Sequence, residues 1–249
     1  KLNKLQLLIP IVVFIVAWQI LSNSGIVNET LFPPPTKVFS SFIGLWQSGE
    51  LFLHITASIW RVIFGLIIGS IFGIIIGLLT GRIKFIDKSL SPLFHVFRSF
   101  PPVAIIPLII VWLGIGEQAK LFSISFAVFF PVWVSAHTGA RSVPQSYLRA
   151  AQSLSCSTAR KFSKIIFPAA LPFIIAGIRI GIAVTFVMVF VSELAGASAG
   201  LGYQIYVSHL AYRIDRMVAG LVVLGLLAAF TDFLFTRSIG KYFPWVKKI

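Results

Sequence analysis

The sequence predicts an all-α integral membrane protein with about six transmembrane helices. Of its 249 residues, 57% are hydrophobic and only 11% are charged. A soluble domain of this length would carry more charge, because polar atoms must cover its surface. Several apolar runs approach or exceed the roughly 20 residues that cross a bilayer as a helix. They lack the alternation of apolar and polar residues that is typical of β-barrel strands.

Six apolar runs give the expected spans at about 8–22, 57–80, 94–113, 119–138, 169–191 and 217–236. The first run follows a basic start, as a signal peptide does, but it lacks a small-residue cleavage site and is interpreted as a retained span. After it, the prolines at 33–35 break any helix. The stretch PTKVFSSFIGLWQ (35–47) is predicted to be a short amphipathic helix at the membrane interface, with its apolar residues on one face.

Topology explains most of the net charge of +14. With the N-terminus inside, most Lys and Arg residues outside the spans fall on the cytoplasmic side. This asymmetry predicts that both termini and the loop 139–168 are cytoplasmic. Because the cations follow the topology, nucleic acid is not an expected partner, whereas membrane lipid is.

The second and third spans carry patterns that indicate helix packing and helix breaks. In the third span, Pro101, Pro102 and Pro107 remove backbone donors and predict a kink or a break. Such breaks are tolerated at membrane depth where protein or a watery cavity satisfies the backbone. The second span has a ridge of glycines, which either packs within the bundle or slides against a neighbour during gating. The ridge consists of Gly65, Gly69, Gly73, Gly77 and Gly81.

No catalytic or metal-binding pattern is evident in the sequence. The histidines are scattered, the single Cys156 excludes an internal disulfide, and neither a Walker A motif nor a GxSxG motif is present. Among the acids, only Glu193 and Asp232 are expected near spans. An arginine in a span either faces a pathway, where it would favour an anion, or is held by snorkelling or by an ion pair, for instance with one of these acids. The candidate pathway residues are Arg61, Arg98, Pro101, Pro102, Arg179 and Glu193.

The loop between the fourth and fifth spans is the longest soluble stretch on the predicted cytoplasmic side. Tyr147, Leu148, Ala151 and Leu154 predict a short helix with one apolar stripe. A short helix in a cytoplasmic loop fits the groove of a soluble partner. The alternative is an interfacial amphipathic loop that binds no partner.

This loop resembles the cytoplasmic EAA loop of permease subunits of binding-protein-dependent ABC importers, whose pattern is E-A-A-x3-G-x9-I-x-L-P. Arg, Ser and Phe replace the Glu, Gly and Leu of that pattern. The positions of the pattern here are Arg149, Ala150, Ala151, Ser155, Ile165, Phe167 and Pro168, and Ser157 is expected to belong to the same ATPase-coupling loop. Other stretches are similar to the nitrate, sulfonate, taurine and bicarbonate branch of these permeases: 32–38, the SxxR element at 58–61, 98–116, 167–182 and 192–203.

The resemblance implies a type I ABC importer permease-like bundle in the bacterial inner membrane. Residues 1–56 would form an N-terminal span with an outer segment, 57–240 the permease core, and 241–249 a basic cytoplasmic tail. The implied partners are a second permease copy, two ATP-binding subunits on the loop helix, and a solute-binding protein at the outer face. ATP and Mg would bind the ATPase partners, so this chain is expected to have no cofactor and not to be an enzyme.

The substrate implied by the branch is a small anion, with an aliphatic sulfonate or taurine first and nitrate or bicarbonate next. Two alternatives remain at the level of the sequence. One is an ATP-independent channel or carrier for small anions, in which the loop is an inert connector. The other is a membrane-embedded enzyme.

Overall fold

The computed structural model describes residues 4–243 and Trp245, with side chains from residue 9 onward. Most of the predicted basic tail, 241–249, lies outside the described residues. A 3-10 turn (Pro102–Ile105) precedes α5, and a π turn (Phe162–Ile166) joins α8 to α9. The α-helices of the described part are α1 (Lys4–Asn23), α2 (Pro35–Gln47), α3 (Glu50–Arg82), α4 (Lys84–Phe97), α5 (Ile106–Leu113), α6 (Glu117–Ser142), α7 (Gln145–Ser153), α8 (Thr158–Lys161), α9 (Phe167–Leu194), α10 (Leu201–Leu210) and α11 (Ile214–Tyr242).

The helices confirm an all-α membrane protein, with changes to the predicted spans. Four helices are long and apolar enough to cross a membrane, namely α3, α6, the run Thr158–Leu194 and α11. In α1, the apolar part Ile9–Asn23 is shorter than these. Helix α4 and the segment Pro102–Leu113 pass the same test only as a pair, and they are bent by 90° at the break between them.

The predicted span 94–113 therefore needs correction. Its first residues belong to α4, which begins at Lys84, and the chain turns at 98–101. The expected break at Pro101 and Pro102 is confirmed. Pro107, in contrast, lies in the first turn of α5, where the missing N–H has no intrahelical partner to lose and a proline starts a helix rather than breaking it.

Helix α2 covers the residues that the sequence predicts, and its apolar residues form two adjacent stripes that differ in burial. Val38 and Leu45 are buried. Phe39, Phe42 and Trp46 instead form a stacked row, with ring centroids 6.3 and 6.4 Å apart along the helix. Positions 38 and 45 are seven residues apart, as are 39 and 46, so the two pairs form adjacent stripes. The apolar residues therefore share one side of the helix, as the sequence predicts, and only the stripe of Val38 and Leu45 is buried.

One compact unit comprises residues 1–58 and 198–226. Within it, the N-terminus of α10 is held by side chains of α3. The Gly200 N–H donates to His54 Nδ1 at 3.2 Å, and the Leu201 N–H donates to Ser58 Oγ at 2.8 Å. Helix N-termini leave backbone donors without intrahelical acceptors, so these two side chains replace a local cap. Ser58, the first residue of the SxxR element, thereby fixes the start of α10.

The second unit comprises residues 59–197 and 227–249, and α6 is its central helix. The glycine ridge of α3 lies against α6. A Cβ added to Gly77 would lie 2.6 Å from Ala136 Cβ, and one added to Gly81 would lie 2.6 Å from Ala140 Cβ. Contacts this short leave no room for a side chain. The ridge therefore allows the two backbones to approach closely, as small residues do in membrane bundles.

A neighbouring side of α6 packs on α9 in the same way. A Cβ added to Gly177 of α9 would lie 2.6 Å from Ser135 Cβ. One added to Gly139 of α6 would lie 2.8 Å from Phe173 Cβ. Helix α6 is thus packed closely on both sides, and its inward residues Val128, Val132 and Ala136 are fully buried.

Candidate functional site

The Arg61 guanidinium is buried in an ion-pair cluster that joins three spans. Only 4% of Arg61 is exposed. Its Nη1 donates to Glu193 Oε1 of α9 at 2.7 Å. Its Nε and Nη2 donate to the two carboxylate oxygens of Glu117, the first residue of α6, at 2.8 and 2.7 Å. Lys120 Nζ also donates to Glu117, at 2.9 Å. The cluster fixes the ends of α6 and α9 to α3.

Glu117 and Lys120 are absent from the sequence-based candidates, and the expectation that only Glu193 and Asp232 lie near spans is wrong. Glu117 follows the apolar stretch ending at 116, so its place at the first turn of α6 was available from the sequence. Its pairing with Arg61, 56 positions earlier, depends on how α3 packs beside α6. No local pattern indicates that packing.

A second arginine in a span is also paired. Arg179 Nε and Nη2 donate to the two carboxylate oxygens of Asp232 in α11, at 2.8 and 2.9 Å. The geometry is the two-point pairing that suits a guanidinium and a carboxylate. This is one of the ion pairs that the sequence leaves open. Whether Arg61, Arg179 or Glu193 lines a pathway stays a prediction.

Arg98 differs from the other two arginines. It is exposed, it caps the C-terminus of α4 at the break, and no carboxylate among residues 9–243 lies within ion-pair distance of it. It lines an open cavity of about 440 Å³. Pro101 and Pro102 form the turn that follows it. The cavity is lined by Arg98, Ser99, Phe130, Pro131, Val134, Ser135 and Ile180.

The loop helix predicted from the sequence is α7, and one of its sides is fixed to the bundle. Ala151 is 4% exposed. Leu148 packs on a core cluster to which α3, α6 and α9 contribute Leu78, Ala136 and Ala170. On the other side, Tyr147 and Leu154 are 61% and 78% exposed. The single apolar stripe predicted from the sequence is therefore divided into an inner part and an outer part.

Helix α7 ends in a Schellman motif with Ser155 as its left-handed residue. The φ of Ser155 is 49°. The Cys156 N–H donates to Ala151 O at 3.0 Å, and the Ser155 N–H donates to Gln152 O at 2.9 Å. This position usually holds glycine, because other L-residues are strained there. The importer loop pattern has glycine at this place, so the local geometry accounts for that glycine.

The second half of the loop begins at Ser157, whose Oγ accepts from the Arg160 N–H and caps α8. Arg149, Ala150, Ser155 and Ser157 are all exposed. Ile165 and Pro168 are half-buried, and Phe167 is the first residue of α9. The loop residues thus divide into those that face outward and those that join the loop to the spans.

The described part of the chain has apolar helices, a bent helix pair broken at prolines, and a short helix packed on α3, α6 and α9, which together are typical of a membrane transport component. The chain matches a family model over residues 69–242, and it belongs to that family, the binding-protein-dependent transport system inner membrane components. It is accordingly a membrane permease subunit of an ABC transporter, and its homologues are transport components.

Curated relatives span nearly all of the chain. A putative aliphatic sulfonates transport permease protein, SsuC, of Bacillus subtilis (strain 168) is 34% identical, covering 96% of this chain and 86% of that one. The taurine transport system permease protein TauC of Escherichia coli (strain K12) is 31% identical, covering 94% and 86%.

Solved structures share the fold at low sequence identity. A structure of the MetNI methionine ABC transporter in an inward-facing conformation has a TM-score of 0.61 at 21% identity, covering 76% of this chain and 95% of that one. A crystal structure of an amino acid ABC transporter with histidines has a TM-score of 0.59 at 19% identity, covering 86% and 96%.

Proposed function

We propose that this permease imports a small anion, an aliphatic sulfonate or taurine first and nitrate or bicarbonate next, and that ATP-binding subunits drive it through α7. The observation that carries the proposal is the position of α7. Its inner side is fixed to three spans, while Tyr147 and Leu154 are exposed on its outer side. Exposed apolar residues on a short helix fit a groove on a soluble partner.

The relatives named for aliphatic sulfonates and taurine support the substrate class. The family description supports a solute-binding protein as a partner. In the proposed assembly, two copies of this chain form the pathway and two ATPase subunits bind ATP and Mg. The solute-binding protein delivers the anion at the outer face. ATP binding moves the α7 helices together, and hydrolysis resets them.

The excess of Lys and Arg in the loops of one side supports an orientation with both termini and α7 in the cytoplasm. In this orientation α7 and the ATPase subunits meet in the compartment that holds ATP. The Arg61–Glu117–Glu193 cluster then lies toward the outer side, since α6 begins and α9 ends there.

The test is purification of the complex from its native membrane, followed by uptake of radiolabelled taurine into vesicles with and without ATP. We expect an ATPase subunit to copurify and uptake to require ATP. Replacing the exposed apolar pair with Tyr147→Ser and Leu154→Ser should remove the ATPase and abolish uptake, because the outer side of α7 would lose its apolar contact surface.

The matched control is Tyr242→Ser, which changes an equally exposed tyrosine at the end of α11. It should keep both the ATPase and the uptake. Uptake that is independent of ATP in the parent protein would support a channel or carrier instead. Normal ATP-driven uptake by the Tyr147→Ser/Leu154→Ser variant would show that α7 is not the docking helix.

A further inference from the structure

The cavity beside the helix break has the size and the lining of a small-molecule site. Its volume of about 440 Å³ lies within the range of roughly 300 to 1,000 Å³ that is usual for ligand pockets. One part of its wall is polar, formed by Arg98, Ser99 and Ser135. The rest is apolar, formed by Phe130, Pro131, Val134 and Ile180. A ligand that fits both parts has a polar head and a short hydrocarbon tail.

The cavity lies at the middle of the spans. Pro131 lies near the middle of the 26-residue α6 and Ser135 one turn further along, and Ile180 lies halfway along the 28-residue α9. A cation at this depth is costly unless it faces water, a carboxylate or a bound anion. Arg98 has no carboxylate within ion-pair distance among the described residues, whereas Arg61 has two and Arg179 has one. The guanidinium of Arg98 is therefore the one of these three that remains available to a ligand.

The hydroxyl groups of the polar wall differ in what they can donate. Ser99 Oγ donates to His95 O at 3.0 Å, so its proton is already used. Ser135 belongs to the cavity wall, and its Oγ makes no hydrogen bond to the side chains and backbone that the structure describes. Its O–H can donate to a ligand oxygen. Arg98 and Ser135 thus each offer a hydrogen-bond donor, which suits an oxyanion.

We propose that this cavity binds an alkyl sulfonate during transport. Arg98 and Ser135 hold the sulfonate oxygens, and Phe130, Val134 and Ile180 contact the carbon chain. The inference rests on the proposed function for the nature of the transported anion, and it assigns that anion a place in this chain. The apolar wall favours an alkyl sulfonate over sulfate or nitrate, which have no hydrocarbon to bury.

Charge-selective labelling of a cysteine in the cavity tests the site without measuring transport. In the full-length chain with Cys156→Ser, the substitution Ile180→Cys places a thiol in the cavity wall and keeps both proposed donors. Two methanethiosulfonate reagents are compared, an anionic one with a 2-sulfonatoethyl group and a cationic one with a trimethylammonioethyl group. The measured quantity is the ratio of their reaction rates.

We expect Arg98→Gln to lower the ratio of anionic to cationic labelling by about tenfold, because a positive charge that lines the same cavity as the thiol is removed. Arg98→Lys should keep the ratio within about twofold. Lys88→Gln removes another exposed cation of α4 and should leave the ratio unchanged. The ratio at Ser153→Cys, on the exposed side of α7, should not respond to Arg98→Gln.

Competition with a small ligand tests the binding itself. Ethanesulfonate should slow the labelling of Ile180→Cys about threefold or more, and sulfate at the same concentration should slow it less. Both Arg98→Gln and Ser135→Ala should remove the protection. The proposal is overturned if neither reagent reaches the thiol, if the rate ratio ignores Arg98, or if sulfate protects as well as ethanesulfonate.

The outcomes separate this inference from the proposed function. ATP-driven sulfonate uptake combined with a rate ratio that ignores Arg98 would refute the cavity alone. Protection by ethanesulfonate that depends on Arg98 and Ser135, in a protein whose uptake needs no ATP, would support the cavity and refute the ATP-driven importer.

Discussion

Removing Arg61 should destabilise the protein strongly, and removing its buried partner as well should restore most of the loss. Glu193 is 1% exposed and Arg61 is 4% exposed. The substitution Arg61→Met leaves the Glu193 carboxylate in the interior without the guanidinium 2.7 Å away. Breaking a buried pair from one side costs about 3–5 kcal/mol. At roughly 2–4 °C per kcal/mol for a chain of this size, Tm should fall by about 10 °C.

The double variant Arg61→Met/Glu193→Met replaces the buried pair with apolar side chains of similar length. Such replacements are often neutral, so Tm should recover to within about 4 °C of the parent. Glu117→Gln is the matched control for the charge alone. Half of the Glu117 side chain is exposed, so Glu117→Gln leaves Arg61 with its buried partner Glu193 and removes only a carboxylate that water partly screens. Tm should then fall by clearly less than in Arg61→Met.

The assay is thermal unfolding of the detergent-solubilised full chain, followed by tryptophan fluorescence and by the monodisperse fraction in size-exclusion chromatography. The reasoning is refuted if Arg61→Met unfolds at the temperature of the parent, since the pair would then not be desolvated. It is also refuted if the double variant is no more stable than Arg61→Met, since the loss would then come from packing and not from an uncompensated carboxylate.

Two further predictions concern backbone geometry. Ser155→Gly should raise Tm by about 2–4 °C, because a non-glycine residue in the left-handed conformation is strained by about 1 kcal/mol and glycine is not. An unchanged Tm would contradict the Schellman geometry. Gly77→Val should lower Tm by several degrees, because its Cβ would lie 2.7 Å from Trp133 O, and overpacking costs about 1–3 kcal/mol. Gly225→Ala in α11 meets no atom within 4 Å and should leave Tm unchanged or slightly higher; equal losses at both glycines would indicate helix propensity rather than packing.

The helices were largely predictable because their signals are local. The prolines at 33–35 fix the start of α2, and Pro101 and Pro102 fix the break after α4, since a missing N–H and a restricted φ act on neighbouring residues. Pro107 shows the limit of this reasoning. A proline is disruptive inside a helix and favourable in its first turn, and the difference depends on where the helix begins.

The partners of the charged residues were less predictable. Arg61 and Glu117 are distant in the sequence, and they meet because the glycine ridge allows α3 to lie close to α6. The glycines were visible in the sequence, but the identity of the helix opposite them was not. The inner and outer sides of α7 could likewise not be predicted. Leu148 and Tyr147 are both apolar, and only the packing of the helix decides which of them is buried.

The packing of α7 against three spans has a mechanical consequence. Leu148 rests where α3, α6 and α9 meet, and Arg82 Nη2 donates to Val143 O at 3.2 Å just before the helix begins. No long linker separates the helix from these contacts, since only two residues connect α6 to α7. A force applied to α7 is therefore transmitted to α3, α6 and α9 together, because the short connection cannot absorb the displacement.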